Sequence, residues 1–513
     1  MIQSIPAFFK RERVLNRIFW LFILLILINR VGLLFTINTE CIDNDQVVMW
    51  LGAKHYSQGL FYEPRFYGQD YNTLLEALVA VPFIKLGMPI YYAVPIATHI
   101  LFLTPFLFTA SYLFLKRQKP FAILVLAILL CMPTGYDILN SIPRGFITGV
   151  FFSVFFIVSI INPKNYTFIL INTAFAYIGY LVNQNSVLVS APFIVYLFLE
   201  NYKNKHYYLF STIGLLLALP IGYLLNHFYK VNPDYVFYPT NNYFSFEFFK
   251  DAISHLDQRL AHVGFFVEET CSILLVVFIA TGILLFRKNK QAFLAFLVFI
   301  AVMMVSFFSS KVSDGIVWPF YSYSRMYLGI PIVIYSLLFT TKLNFQRWIM
   351  PVVLITLFFT IIKGVNFKNS IDYHTQESKW GHVHLSSLER IVTTLNTYKR
   401  FSEEQHTNLF VIVNSVWMDD EINYAGPALI NDFPNTFKPS FERRTWRIKE
   451  EQKNVQERFL MYSADTNYDE YIKTNYKDID ITKLDDYGLF LIKNNTRTTV
   501  EFVKYIKAST EGF

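Results

Sequence analysis

The sequence predicts an all-α membrane domain over residues 1–363, with about eleven transmembrane helices, followed by a small α/β domain over residues 364–513 outside the membrane. The first observation behind this fold class is composition. Of 513 residues, 54% are hydrophobic and only 16% are charged, which is far from the balance of a soluble chain. The 53 Phe and 33 Tyr suit a surface that faces lipid tails and headgroups. Membrane lipids are therefore expected partners, whereas nucleic acid is not, despite a net charge of +7.

The second observation is a series of apolar runs, most of them long enough to cross about 30 Å of hydrocarbon as a helix. They lie at 17–36, 90–115, 120–134, 145–162, 166–182, 186–200, 208–227, 271–286, 291–308, 326–341 and 347–363. The stretch 120–200 can also be divided with one span more or fewer. The first run lacks a small-residue cleavage site and leads straight into further spans, so a removable signal peptide is not expected.

The third observation is the distribution of positive charge, which follows the positive-inside rule. With a cytoplasmic N-terminus, the short inside connections hold 15 Lys and Arg, and the much longer outside loops hold nine. Two sizeable loops, 38–89 and 228–270, then lie outside together with the C-terminal domain. Within that domain we expect a helix near 385–400 and strands at 408–415 and 487–494.

Chemistry is expected on the outside, because the inside connections are only a few residues each. The sequence has no Gly-rich phosphate motif, so a nucleotide-bound substrate is not expected. Cys41, Cys131 and Cys271 are too few and too scattered for a disulfide framework. We interpret them as small core residues.

The first outside loop begins with the acidic motif TECIDNDQ at 39–46. Asp43 precedes an apolar stretch and has Gln46 three residues later, which is the spacing of a helix N-cap with a capping box. Asp45 lies inside the predicted helix and is less easily explained as a cap. A carboxylate at a membrane face is partly desolvated, which raises its pKa and suits a general base. Asp43 is therefore either a cap or part of a catalytic acid pair.

The same loop continues with residues at fixed intervals after Asp45, namely Ala53, Gly59, the segment FYGQDY at 66–71, Glu76 and Ala77. This pattern resembles the GT-C superfamily of polyprenyl-phosphate-dependent glycosyltransferases, which includes protein O-mannosyltransferases, lipid A aminoarabinose transferases and rhizobial galacturonosyltransferases. The resemblance places Asp45 at the family's catalytic aspartate. The sequence departs from the family pattern at Gln46, where Glu is usual, and this puts a second carboxylate role at that position in doubt.

The resemblance implies a GT-C-like fold and a sugar carried on a polyprenyl phosphate. The sugar would be transferred, with inversion, to a lipid, glycan or protein of the cell envelope at the outer face of a bacterial inner membrane. Asp45 would act as the general base, with Asp43 and Glu76 as further catalytic candidates. Tyr67 and Gln69 would line the sugar site or brace it.

Arg30, Arg144 and Arg325 are candidates for binding the donor phosphate, because a guanidinium matches phosphate oxygens with paired hydrogen bonds. Arg30 could instead only reach the interface, and Arg325 could only anchor a helix end. Asp137 shares a short outside loop with Arg144. It is either a second carboxylate near Asp45 that helps to hold a divalent metal ion or a loop cap.

Other interpretations stay open. The cluster His374, His382 and His384 either binds zinc or lies at the surface. Alternative functions are a lipid-linked oligosaccharide flippase or other transporter, and a non-catalytic envelope assembly protein. Transporters usually have internal repeats and ionisable groups at the bilayer midplane. This sequence has no repeat, and its acids cluster near one predicted membrane face.

Overall fold

The structure, a computed structural model, describes residues 12–66, 68–233, 235, 237, 239, 241–343, 345–380, 385–413, 421–438, 454–463, 465–485, 488–494 and 496–507. Three helices in these ranges are long and apolar enough to cross a membrane: Glu12–Glu40, Ile90–Leu115 and Lys205–Val231. A fourth crossing results if Ile349–Val365 and Phe367–Gln376, which are bent by 61° relative to each other, form one broken span.

The N-terminal half is helical apart from a short hairpin. Its helices are α1 (Glu12–Leu34), α2 (Ile37–Glu40), α3 (Asn44–Ser57), α4 (Leu75–Lys85), α5 (Ile90–Leu115), α6 (Lys119–Leu130), α7 (Thr134–Leu139), α8 (Thr148–Phe151), α9 (Phe156–Ile161), α10 (Tyr166–Val182), α11 (Val187–Asn201) and α12 (Lys205–Val231). The hairpin pairs β1 (Arg65–Phe66) with β2 (Gln69–Thr73) in antiparallel register. Helix α5 is mostly buried and α12 mostly exposed, so α5 lies inside the bundle and the apolar surface of α12 faces lipid.

Several expected spans are shorter or broken. The run 145–162 forms α8, a 3₁₀ segment at Phe152–Phe155 and then α9. Within it the Ser153 hydroxyl donates to the Val150 carbonyl at 2.7 Å, a local bond that competes with the regular helical ladder. Helix α6 ends at Leu130 shortly before Pro133, since proline disfavours helix in the residue that precedes it. The count of eleven spans thus stays a prediction.

The second half adds further helices to the bundle. They are α13 (Phe246–Ser254), α14 (Leu256–Leu260), α15 (Ser272–Lys288), α16 (Lys290–Ser306), α17 (Ser310–Ser313), α18 (Ile330–Phe339), α19 (Ile349–Val365) and α20 (Phe367–Trp380). Helix α16 packs against α11, and α18 contacts both of them. Helices α11 and α16 run from one end of the bundle to the other, and each end is lined by a different cavity.

The C-terminal region forms a mixed sheet with helices. Its elements are α21 (Leu388–Glu404), β3 (Leu409–Val413), α22 (Gly426–Leu429), β4 (Asn435–Phe437), β5 (Arg458–Ser463), α23 (Tyr468–Asn475), β6 (Asp480–Lys483), β7 (Leu489–Lys493) and α24 (Thr499–Lys507). The strand order is β4-β3-β5-β7-β6, with β3 parallel to β4 and β5 and the other pairs antiparallel. Helix α21 and strands β3 and β7 lie where the sequence predicts a helix and two strands.

The C-terminal region shares a hydrophobic core with the segment between α2 and α5. Trp50 of α3 belongs to the same buried cluster as Phe410 of β3 and Leu460 of β5. At the surface of this contact, the Lys54 ammonium donates to the Asn431 side chain at 3.2 Å. Helix α3 is therefore held between the helical bundle and the C-terminal sheet.

Candidate active site

The start of α3 is built as the sequence predicts. Asp43 is the N-cap, and its carboxylate accepts a hydrogen bond from the Gln46 backbone N–H at 3.0 Å. The Gln46 side chain differs from the expected capping box, because it donates to the Cys41 carbonyl at 2.9 Å. This bond ties the start of α3 to the residue that follows α2.

Arg144 connects the two aspartates. Its Nε lies 3.1 Å from Asp43 Oδ2, and its Nη2 lies 2.8 Å from Asp45 Oδ2. Asp43 and Arg144 are buried, whereas 41% of the Asp45 side chain is exposed. Arg144, assigned from the sequence to phosphate binding, therefore directly contacts the candidate base. Asp45 presents its carboxylate to the open side of the site.

Burial raises the pKa of the Asp43 carboxyl, and the neighbouring Asp45 acts in the same direction, while the Arg144 guanidinium opposes both. Burial alone would lower the pKa of Arg144, but Asp43 and Asp45 together hold it above its ordinary value. The Arg144 guanidinium thus stays charged, and its Nε and Nη2 are held by the two carboxylates.

The segment that carries Arg144 is fixed by a glycine and several amides. Gly145 has φ +78°, a left-handed conformation that favours glycine. A Cβ at this position would lie 2.2 Å from Asn72 Oδ1. The Asn72 amide donates to the Arg144 carbonyl at 3.1 Å, and the Asn183 amide donates to the Gly145 carbonyl at 2.9 Å. Asn185 completes the set by donating to the following carbonyl, that of Phe146, at 2.8 Å.

Glu76 contacts the backbone of the segment that carries Arg144. Its side chain is completely buried, accepts from the Gly145 N–H at 2.7 Å and lies 3.0 Å from the Thr98 hydroxyl. Burial raises the pKa of Glu76 to about 8. Glu76 does not line the cavity next to Asp45. This geometry indicates a residue that positions the Arg144 segment.

A cavity opens beside Asp45, with about 500 Å³ of empty space that includes some open to solvent. It is lined by Asp45, Phe66, Gln69, Asn72, Arg144, Phe146, Asn183, Asn185, Lys311, Tyr321, Arg325 and Met326. Three of these side chains are cationic, and amides make up much of the remaining polar surface. Such a lining suits a ligand with an anionic group and several hydroxyl groups.

Arg325 forms the wall facing Arg144. Its guanidinium donates to the carbonyls of Tyr321 at 3.3 Å and Ser322 at 2.9 Å, and also to the Asp314 carbonyl. It lies over the Tyr321 ring, 4.3 Å from the centroid, and Arg144 lies 5.5 Å from the same centroid. These backbone carbonyls hold Arg325 in place.

Two polar atoms at this cavity find no hydrogen-bond partner among the described residues. They are Arg144 Nη1 and Asn185 Oδ1, and both are buried. Burying an N–H or a carbonyl without a partner costs free energy, about 1–3 kcal/mol in a protein. A donor and an acceptor left in this way at one cavity are typical of a site completed by its ligand.

A second, largely apolar cavity adjoins the first and shares Asn183, Asn185, Lys311 and Met326 with it. It has about 890 Å³ of empty space, part of it open to solvent. Its other lining residues are Gln184, Val187, Leu188, Asn242, Phe244, Val302, Val305, Ser306, Ser309, Val312 and Tyr327. We call it the apolar groove. Lys311 lies at the junction of the groove and the polar cavity.

Arg30 and Asp137 lie in a different cluster. They form a buried ion pair at 3.2 Å, and the Asp137 carboxylate also accepts from Asn29 at 2.6 Å and pairs with Lys363. Neither side chain lines the cavity beside Asp45. With two cations already on Asp137, this carboxylate does not fit a divalent metal ion. The site is thus built without Arg30 and Asp137.

Of the two residues predicted to line or brace the sugar site, Gln69 of β2 lines the cavity. Tyr67 lies outside the described residues.

Of the predicted histidine cluster, His382 and His384 also lie outside the described residues. His374 lies 2.7 Å from the Glu268 carboxylate, and His262 lies 3.7 Å from it. Burial of Glu268 would raise its pKa, yet the two histidines hold it well below its usual range. Within the described ranges, no group of three or more His, Cys, Asp and Glu side chains is arranged to hold a metal ion.

Sequence reasoning missed several lining residues. Lys311 is a single lysine between two apolar runs, and it gave no signal beyond that isolation. Asn183 and Asn185 do have a signal, because they form a polar break, NQN, between two predicted spans. Tyr321 carries no pattern of its own, and only the fold brings it beneath the two arginines.

No family model matches the sequence, and no curated protein matches it. Among solved structures, the crystal structure of ArnT from Cupriavidus metallidurans in the apo state aligns with a TM-score of 0.54 at 10% identity. The alignment covers 92% of this chain and 97% of that chain. The crystal structure of ArnT from the same organism bound to undecaprenyl phosphate aligns with a TM-score of 0.49 at 11% identity, with the same coverage. By the first alignment, this chain has the ArnT fold over most of its length, which confirms the GT-C-like fold predicted from the sequence.

Proposed function

We propose that this protein is a membrane-embedded glycosyltransferase that transfers a sugar from a polyprenyl phosphate to an acceptor of the cell envelope. The observation that carries the proposal is the polar cavity, where Asp45 and three cations meet and which continues into the apolar groove. The fold supports the same conclusion, since ArnT is a GT-C aminoarabinose transferase.

Each part of such a donor has a matching surface. The apolar groove accommodates the beginning of the polyprenyl chain between α11 and α16. Lys311 at the junction, with Arg144 and Arg325, binds the phosphate, and Arg144 Nη1 finds its missing acceptor there. The amides of Gln69 and Asn185 hydrogen-bond to sugar hydroxyls.

The proposed reaction is a single displacement with inversion. The acceptor oxygen or nitrogen attacks the anomeric carbon while Asp45 takes its proton. The bond between that carbon and the phosphate oxygen breaks, and its electron pair leaves with the polyprenyl phosphate. The three cations stabilise the negative charge that develops there, so the leaving group needs no proton. Asp43 and Glu76 act through Arg144 and its segment as positioning residues.

The proposal includes the predicted topology. Eleven spans, a cytoplasmic N-terminus and an outer C-terminal domain place Asp45 at the outer face of a bacterial inner membrane. The acceptor is then a hydroxyl or amine on an envelope lipid, glycan or protein that reaches the exposed side of Asp45. In this proposal the acceptor approaches beside the C-terminal sheet, which shares a core with α3.

The test compares envelope lipids and glycans by mass spectrometry in cells that lack the gene and carry one of three versions. Wild type should restore a mass increment that identifies the sugar and the acceptor, and Asp45→Asn should not. Glu40→Gln, which changes an exposed acid of the same loop, should restore it fully. Immunoblotting of membrane fractions checks equal insertion. Restoration by Asp45→Asn would remove the proposed base and would favour a transporter or an assembly protein.

A further inference from the structure

Another cavity lies at the opposite end of the helix bundle from Asp45. Glu200, near the end of α11, and Asn289, just before α16, both line it. The other ends of these helices reach the donor site, since Asn185 precedes α11 and Ser306 ends α16. Helix α11 has 15 residues, so its ends are about 22 Å apart at 1.5 Å per residue. The cavity is therefore separate from the proposed donor site.

The inner surface of this cavity is both aromatic and acidic. It has about 1400 Å³ of empty space, part of it open to solvent. Phe121 makes edge-to-face contacts with Phe339 and Phe345, with ring centroids 5.0 and 5.2 Å apart. The hydroxyl of buried Tyr196 interacts with the side chains of Glu200 and Asn289. A half-buried carboxylate beside aromatic rings is a suitable site for a positively charged group.

The rim of the cavity has the opposite charge. Exposed Lys342 lies at this rim, and helix connections elsewhere at the same end of the bundle carry Lys or Arg at positions 116, 117, 119, 164, 203, 205, 287, 288, 290 and 347. Lys342 lines the cavity itself, whereas Lys119 is paired with Glu12 at 2.8 Å. A basic rim attracts phosphate groups at a membrane surface, and Glu200 repels a ligand that is only anionic. Rim and interior together select a zwitterion that has an ammonium at its tip and a phosphate behind it.

We propose that this cavity binds the headgroup of an ethanolamine phospholipid. The ammonium pairs with Glu200, the phosphate lies beside Lys342, and an acyl chain packs along the aromatic wall formed by Phe121, Phe339 and Phe345. In the predicted topology these connections are cytoplasmic, so the lipid comes from the inner leaflet. The proposal does not depend on the transfer reaction.

Native mass spectrometry of the purified full-length protein tests this site. Delipidated protein is incubated with phosphatidylethanolamine or phosphatidylglycerol of identical acyl chains, and the retained lipid is measured. Wild type should prefer phosphatidylethanolamine by about five-fold, as expected for one charge-assisted contact. Glu200→Gln should remove the preference. Lys342→Ala, at an exposed position, should lower binding of both lipids, and Lys205→Ala, an exposed basic residue outside the cavity, should change nothing.

The comparison has a clear contrary outcome. Equal or stronger retention of phosphatidylglycerol by wild type would overturn the proposal. So would an unchanged preference in Glu200→Gln. If Glu200→Gln does not fold, the exposed Lys342→Ala variant decides the question, since unaltered retention in that variant contradicts a phosphate at the rim.

Discussion

Glu76→Gln is expected to leave the structure intact and to remove a pH-dependent loss of stability. The Thr98 hydroxyl can donate to Glu76 Oε1 at 3.0 Å or to the Val94 carbonyl at 3.2 Å. In the second case a protonated Glu76 Oε1 can donate to Thr98 while Oε2 accepts from Gly145. A glutamine satisfies the same two contacts, with its amide N–H donating and its carbonyl accepting. The network thus accommodates the neutral carboxylic acid, and burial favours that form over the carboxylate.

The magnitude follows from the shift of the Glu76 pKa from 4.5 to about 8. Because the folded-state pKa is raised, the stabilisation is complete below about pH 4.5 and is lost as the pH rises through about 8. Between pH 7 and pH 9 the folded protein releases most of this proton, which costs about 1.4 kcal/mol in the wild type. The Glu76→Gln variant has no such proton to lose, so it should gain that amount relative to wild type.

Thermal unfolding of the purified protein at pH 7 and pH 9 measures the effect. The Tm of Glu76→Gln minus the Tm of wild type should increase by about 1 °C between the two pH values, given the entropy of unfolding of a chain this long. Glu403→Gln, an exposed acid of α21, serves as the matched control and should show no change. The same Tm difference between Glu76→Gln and wild type at both pH values would refute the prediction that folded Glu76 is neutral at pH 7. Strong destabilisation of the variant already at pH 7 would refute it too.

Further predictions concern the Arg144 segment and the phosphate site. Arg144→Lys should lower the Tm and reduce the transfer rate by about 100-fold or more, because one ammonium cannot replace a guanidinium that binds two carboxylates. Gly145→Ala should also reduce transfer by about ten-fold or more, since the added Cβ would clash with Asn72 and the positive φ would be strained. Gly59→Ala is the control for strain alone, because φ is +77° there but the space is open. Lys311→Ala should weaken binding of undecaprenyl phosphate by about ten-fold without a change in Tm, as measured by titration in detergent. Unchanged transfer rates in Arg144→Lys and Gly145→Ala, or unchanged affinity for undecaprenyl phosphate in Lys311→Ala, would contradict the assigned contacts.

The sequence predicts the local parts of the site well. Three predictions depend on spacings of a few residues, which the backbone preserves: Asp43 as a cap, Asp45 within the following helix, and Gln69 in the segment FYGQDY. Arg144 could be assigned to phosphate binding because a charged side chain near membrane depth is costly to bury and is usually functional. Its contacts with both aspartates could not be predicted, because they join residues 99 or more positions apart.

Contacts between residues far apart in the sequence also explain where the structure differs from the predicted site. Arg30 is also a charge near membrane depth, but the structure compensates it with Asp137, 107 positions away, and no local pattern distinguishes these two cases. Lys311 lies on α17, just after the end of α16, and lines the cavity. An apolar periodicity does not specify which helix ends meet. The broken span at 145–162 shows that hydrophobic length alone does not fix a straight helix when a serine such as Ser153 competes for backbone carbonyls.

The position of the donor phosphate is the central claim, and a cryo-EM structure of the protein with undecaprenyl phosphate tests it most directly. The phosphate should lie within hydrogen-bonding distance of Arg144 Nη1 and the Lys311 ammonium, with the lipid chain in the apolar groove. Undecaprenyl phosphate with its phosphate beside Arg30 and Lys363, and none at Arg144 and Lys311, would contradict the account.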